Sequence, residues 1–274
     1  DGITGALLSA VPTGFDSLPA AEAVDLARAC NDELASLPER SSGRLAALAV
    51  LPLAAPNAAA DELRRAADLG LPGAQLFSNI EGAALDEERF RPVFAAAAEL
   101  DVPLVLHPTR PVEHASLDDY GLLTTLGFLY ETTTCAVRLV FGGLYERHPD
   151  VKVVIPHAGS VLPYILPRID YETRLFGSWQ ALSSPPSEQI RRFYVDSVCL
   201  WPPALRLALE VFGDERVMFG TDEPFWSGAD GVATVEELDP DEFDPERIYW
   251  KNAQRIFGAL AESKPTEPRE PTRR

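Results

Sequence analysis

The sequence predicts an α/β fold, a TIM (β/α)8 barrel, on three observations: its length, the alternation of apolar runs with amphipathic stretches, and polar residues stationed where the apolar runs end. The chain has 274 residues, and barrels of this kind take about 250 in a single domain. Short runs rich in Val, Leu and Ile recur between longer helical patterns, as parallel strands joined by crossover helices require. A barrel places its chemistry where the strands end, so a polar residue just after an apolar run counts for more than one just before it.

Seven strands are expected, over residues 5–11, 45–53, 73–77, 103–107, 151–157, 193–199 and 216–221. Residues 20–37 put Val24, Ala27, Cys30, Leu34 and Leu37 at helical spacing, with Asp16 or Ser17 as cap and Pro19 in the first turn. Asn57 caps and Gly70 ends a helix over 58–69. Asp86 opens another that turns Phe90, Val93 or Phe94, Ala97 and Leu100 inward. Residues 120–147 read as mostly helical, interrupted at Gly127 and at Gly142-Gly143. Residues 228–246 hold eight acidic residues, no basic one, and Pro240 and Pro245, which predicts a solvated loop before a last helix. The domain is expected to span 1–260, with 261–274 a disordered, proline-punctuated tail.

Seven strands do not close a barrel, because eight are needed to remove the open edge and fill the interior. The missing one is strand 1, expected upstream of Asp1. The chain starts at Asp1 and not Met, running straight into an apolar strand, so it reads as truncated at its N-terminus.

The formal charge of -18 repels polyanions and argues against nucleic acid or an anionic membrane surface as partner. No apolar run approaches the roughly 18 residues of a membrane span. Cys30, Cys135 and Cys199 are scattered and form no Cys-x-x-Cys, so they read as core residues of a cytoplasmic protein.

Three residues end apolar runs with chemistry-bearing side chains: His107 after Leu104-Val105-Leu106, His157 after Val153-Val154-Ile155-Pro156, and Asp222 after Phe219-Gly220-Thr221. A lone histidine at such a place more often bonds a neighbouring carbonyl than a metal. Three together favour a shared site, since imidazole and carboxylate suit zinc, manganese or iron and strand ends aim them at one axial point. His148 precedes a strand and falls on the opposite face; His114 sits in a polar loop. There is no Gly-x-Ser-x-Gly, no Gly-x-Gly-x-x-Gly and no Walker lysine. Phe77, Trp201, Phe225 and Trp226 follow strands and either wall a pocket for a flat substrate or pack against helices. Arg110, close behind His107, either anchors a substrate carboxylate or serves the surface.

Taken in order, Leu106-His107-Pro108, Glu131-Thr132, Pro156-His157-Ala158-Gly159, Pro163-Tyr164 with Arg168-Ile169-Asp170, Phe219-Gly220-Thr221-Asp222-Glu223-Pro224 and Asn252-Ala253 resemble the amidohydrolase-related family, in its branch containing aminocarboxymuconate semialdehyde decarboxylase and γ-resorcylate decarboxylase. The resemblance covers nearly the whole chain and implies a metal-dependent, hydrolase-like barrel. It implies that His107 and Asp222 bind one divalent metal, zinc first and manganese or iron next, with His157 and Asp222 as catalytic groups. The family's other ligands, a His-x-His or Glu-x-His at the end of strand 1, are absent here. Ser160 and Pro167 stand where the family often has glycine.

The expected activity is decarboxylation of a small unsaturated or aromatic carboxylic acid. Hydrolysis of a lactone or amide is the alternative, and an inactive barrel serving as a binding or assembly subunit is a third reading. Arg110, Arg168 and Trp226 are the expected substrate contacts. The resemblance further implies a homodimer in which Arg168 serves the neighbouring subunit's site; otherwise Arg168 pairs with Asp170 or Glu172 at the surface.

Overall fold

The computed structural model describes residues 2–10, 15–177 and 182–258. All seven expected strands form, in shorter spans: β1 (Ala6–Leu8), β2 (Leu45–Ala47), β3 (Ala74–Phe77), β4 (Leu104–His107), β5 (Val153–Ile155), β6 (Tyr194–Asp196) and β7 (Val217–Met218). Every ladder between consecutive strands is parallel. The pair β1–β2 joins the five-stranded sheet through a parallel bridge between Ala49 and Ala74. The strand order is thus the sequence order, as in a barrel wall. Among the described residues β1 and β7 share no ladder, so these strands do not themselves close the ring.

Both faces of the sheet are apolar, as a buried parallel sheet demands. Leu104, Leu106, Val153, Ile155, Val195 and Val217 enter the main core with the surrounding helices. The alternate residues Val105, Val154, Tyr194 and Met218 pack together on the other side, with Ile256 and Phe257 beneath them. By that alternation His107 shares the inner face with Val105, and Asp196 shares it with Tyr194.

The helices between strands are α1 (Ala20–Leu34), α2 (Pro56–Asp68), α3 (Arg91–Leu100), α4 (Phe128–Phe141), α5 (Leu162–Phe176) and α6 (Pro202–Phe212), followed by α7 (Gly228–Glu236) and α8 (Asn252–Phe257). Prolines open several of them, where the missing N–H costs nothing. Three expected caps are corrected for that reason or a related one. Pro19 occupies the cap of α1, not Asp16 or Ser17. α2 begins at Pro56, which places Asn57 inside it. Asp86 does not open α3, because its carboxylate is held by the Arg138 guanidinium at 2.8 Å; a short turn Glu88–Phe90 leads in instead.

Within 120–147 the backbone passes through Gly127 without a break and stops at Gly142-Gly143, Gly143 having a φ of 77°. The acidic stretch is not all loop. α7 forms in it because the Ser227 hydroxyl accepts the Asp230 N–H and Val235 drops into the core. The expected tail at 261–274 lies outside the described residues. All three cysteines are free; Cys135 is buried, while Cys30 and Cys199 are half-buried.

Candidate active site

The ends of β4 to β7 converge on one face, and backbone strain concentrates there. His157, Ala158 and Ser160 after β5, Leu200 after β6 and Asp222 after β7 all have positive φ without being glycine. Such conformations persist only where the surroundings hold them, and they gather at functional sites.

His107 is fixed on two sides. Its Nδ1 donates to the Pro108 carbonyl at 2.8 Å, which leaves Nε2 as the nitrogen with the free lone pair. Phe77 lies edge-on to it, ring centroids 6.0 Å apart. Burial pushes its pKa down, against the Pro108 bond and the charge of Asp222, which favours the neutral ring.

His157 and Asp222 face each other, Nε2 to Oδ2 at 3.8 Å. Burial opposes the charge on His157, but contact with Asp222 and the charge of Asp196 outweigh it and raise the pKa. Nδ1 of His157 is buried with no hydrogen-bond partner among the described residues. His107 and His157 thus end adjacent strands with their pKa values pushed apart, His107 down and His157 up.

Behind them stands a residue that the sequence reading passed over. Asp196 ends β6, and its Oδ1 accepts the backbone N–H of Ala158 and of Val198, each at 3.0 Å. Burial raises its pKa, against the charge of His157 and those two bonds. The signal was a carboxylate after Phe193-Tyr194-Val195, obscured because the apolar pattern resumes at Val198-Cys199.

Glu131, on α4, is buried and accepts from Asn79 Nδ2 at 2.7 Å. Asn79 also donates to the Thr109 hydroxyl and the Arg110 carbonyl. Ser78 Oγ accepts the Thr109 N–H at 2.9 Å, and the Ser78 N–H donates to the His107 carbonyl. Through these bonds α4 braces the loops after β3 and β4.

The expected substrate contacts lie further out. Arg110 is half-exposed, bonded to His114 Nε2 at 2.9 Å and 3.4 Å from Asp118. Arg168 is 77% exposed and, among the described residues, pairs with Glu172 at 3.3 Å; Asp170 is engaged by Ser187. Trp201, Phe225 and Trp226 are exposed, so of the four candidate wall aromatics Phe77 is the one packed against His107.

The donor types of His107 Nε2 and the Asp222 carboxylate, imidazole and carboxylate, are ones that suit a divalent ion. Among the described residues no group of three or more His, Cys, Asp or Glu side chains is arranged to hold an ion, while His107 feels the charges of both Asp222 and His157. The left-handed turn that carries His157 sets it against Asp222.

Sheet order, strand-end histidines and the paired aspartate define a barrel-type enzyme of the amidohydrolase class. The chain belongs to the amidohydrolase family, whose model matches residues 5–259. It is 32% identical over 267 residues to the 2-amino-3-carboxymuconate-6-semialdehyde decarboxylase of Dictyostelium discoideum, covering 94% of this chain and 74% of that one. The crystal structure of 5-carboxyvanillate decarboxylase from Sphingomonas paucimobilis superposes with a TM-score of 0.88 at 32% identity, over 94% of this chain and 80% of that one. The 5-carboxyvanillate decarboxylase of Novosphingobium aromaticivorans, solved with bound manganese and 3-methoxy-4-hydroxy-5-nitrobenzoic acid, also reaches 0.88, at 28% identity over 93% and 77%. The expected decarboxylase branch and fold are those of its relatives.

Proposed function

We propose that the protein is a divalent-metal-dependent decarboxylase of a small aromatic or unsaturated carboxylic acid. The observation that carries this reading is the placement of the His157 imidazole against the Asp222 carboxylate, Nε2 to Oδ2 at 3.8 Å, with His107 ending a strand of the same sheet. His107 Nε2 and Asp222 would hold the ion, which would supply a Lewis acid toward a substrate oxygen.

His157 carries the proton at Nε2, where Asp222 Oδ2 stabilises the imidazolium. As the carbon–carbon bond to the carboxyl group breaks, the electron pair passes to the conjugated substrate carbon. That carbon takes the proton from His157, and CO₂ departs. Arg110, released from Asp118, offers a guanidinium to a second acidic group of the substrate, and Trp226 covers the ring from the exposed side. Phe77 keeps water from the His107 edge.

Imidazole and carboxylate suit zinc, iron or manganese alike, and the manganese in the Novosphingobium relative makes manganese the first ion to test, ahead of the zinc expected from the sequence. The exposure of Arg168 on α5, paired with Glu172 at 3.3 Å, supports a homodimer in which it serves the neighbouring copy. Three free cysteines suit a cytoplasmic enzyme. Among the described residues no helix is long and apolar enough to cross a membrane.

The test is to load the protein with manganese or zinc, offer hydroxybenzoic and unsaturated carboxylic acids and then lactones, and follow CO₂. Release of CO₂ from an aromatic acid supports the reading. Lactone turnover with no CO₂ from any acid overturns it in favour of hydrolysis. Light scattering of the same sample reads the dimer.

A further inference from the structure

We propose that Asp196 is a positioning residue, whose carboxylate pins the left-handed turn that presents His157. The inference rests on the reading of His157 as the proton carrier. Residues 157–160 run through φ values of 58°, 53°, 79° and 56°, and of these only Gly159 adopts such a backbone without steric cost. A turn of this kind relaxes unless bonds to the rest of the fold hold it.

Two bonds reach it from outside. Thr133 Oγ1 on α4 accepts the Val161 N–H at 3.2 Å, beyond the turn. Asp196 Oδ1 accepts the Ala158 N–H, the amide directly after His157. The same oxygen takes the Val198 N–H, so one acceptor ties the turn after β5 to the bend after β6.

The neighbouring strand is shaped to admit this carboxylate. A Cβ placed on Gly220 would stand 3.1 Å from Asp196 Cβ and 3.5 Å from its Cγ. Glycine at 220 therefore leaves the room in which Asp196 sits. Its aim at the His157 turn is built by three strands at once: β5 supplies the strained backbone, β6 the acceptor and β7 the space.

The test compares Asp196→Asn, which keeps an oxygen acceptor, with Asp196→Ala, which removes it. Diethyl pyrocarbonate is applied to the full chain, and carbethoxylation at His157 is read by peptide mass spectrometry against His148 at the opposite face. In Asp196→Ala, modification of His157 rises about tenfold while His148 is unchanged; Asp196→Asn stays within about twofold of the parent. With a substrate in hand, Asp196→Ala lowers kcat about tenfold at constant KM, and Asp196→Asn recovers most of it. An unchanged His157 rate in Asp196→Ala overturns the proposal, as does equal acceleration of His148, or an Asp196→Asn rate as high as that of Asp196→Ala. The labelling needs no turnover, so failure of the decarboxylase reading leaves this result separately legible.

Discussion

The His157 imidazole and the Asp222 carboxylate stand 3.8 Å apart on strands that are not neighbours, each on a backbone of positive φ. Both side chains are largely shielded, 17% and 29% exposed. A proton at His157 therefore depends on Asp222 as well as on the solution, and that dependence is measurable.

In the metal-free protein the pair adds stability that varies with pH. The folded pKa of His157 is raised above 6.5, so its contribution is complete below that value and is lost as pH rises through the raised one. Asp222→Asn should cost about 0.5–1 kcal/mol near pH 6 and almost nothing near pH 9, as screening leaves a partly exposed pair of modest worth. Urea unfolding at the two pH values checks this. An equal loss at both would mean that the pair is not charged as described.

Two protein donors hold an ion weakly. The protein is expected to release its metal on dialysis against a chelator and to recover it from a manganese solution, with His107→Ala or Asp222→Asn retaining at least about tenfold less. Metal analysis after gel filtration reads the difference. Undiminished metal in both variants would place the ion elsewhere.

Glu131 offers a separation of charge from hydrogen bonding. Burial raises its pKa, with Asn79 and Ser78 pulling the other way. A carboxyl group with a raised folded pKa loses stability as pH climbs from its ordinary value to the raised one. Glu131→Gln should therefore be nearly neutral and flatten the fall in stability as pH climbs above the ordinary carboxylate range, whereas Glu131→Ala deprives Asn79 of an acceptor and costs about 2 kcal/mol. Urea midpoints across that range decide.

Gly159 backs the site onto α6. Its φ is 79°, and a Cβ there would lie 2.6 Å from the Phe212 ring. Gly159→Ala is expected to cost about 3 kcal/mol or more, combining strain with overpacking. Phe212→Leu in the same chain should return part of it. A Gly159→Ala protein as stable as the parent in urea would refute the close approach.

Strand positions and the strand-end set His107, His157 and Asp222 were legible because apolar runs and the residues closing them are local features. Asp196 was hidden: the run continues past it in sequence, although the strand ends there. α7 was masked by its acidic content, since a capping serine and one buried valine suffice to form it. The roles of Asn79 and Thr133 could not be read, as their partners lie 52 and 28 residues away. Pairings over such distances exist only once the sheet order is known.

α4 carries Glu131 and Thr133 two positions apart, one bonded toward the loop of His107 and the other toward the loop of His157. A helix is far stiffer than either loop, so the two histidines share a common ruler. Sequence drift in the loops alone leaves their spacing intact; a kink at Thr132 would shift both at once. A change that moves one histidine is in this way mechanically tied to the other, and the outer loops can diversify while the two rings keep their gauge.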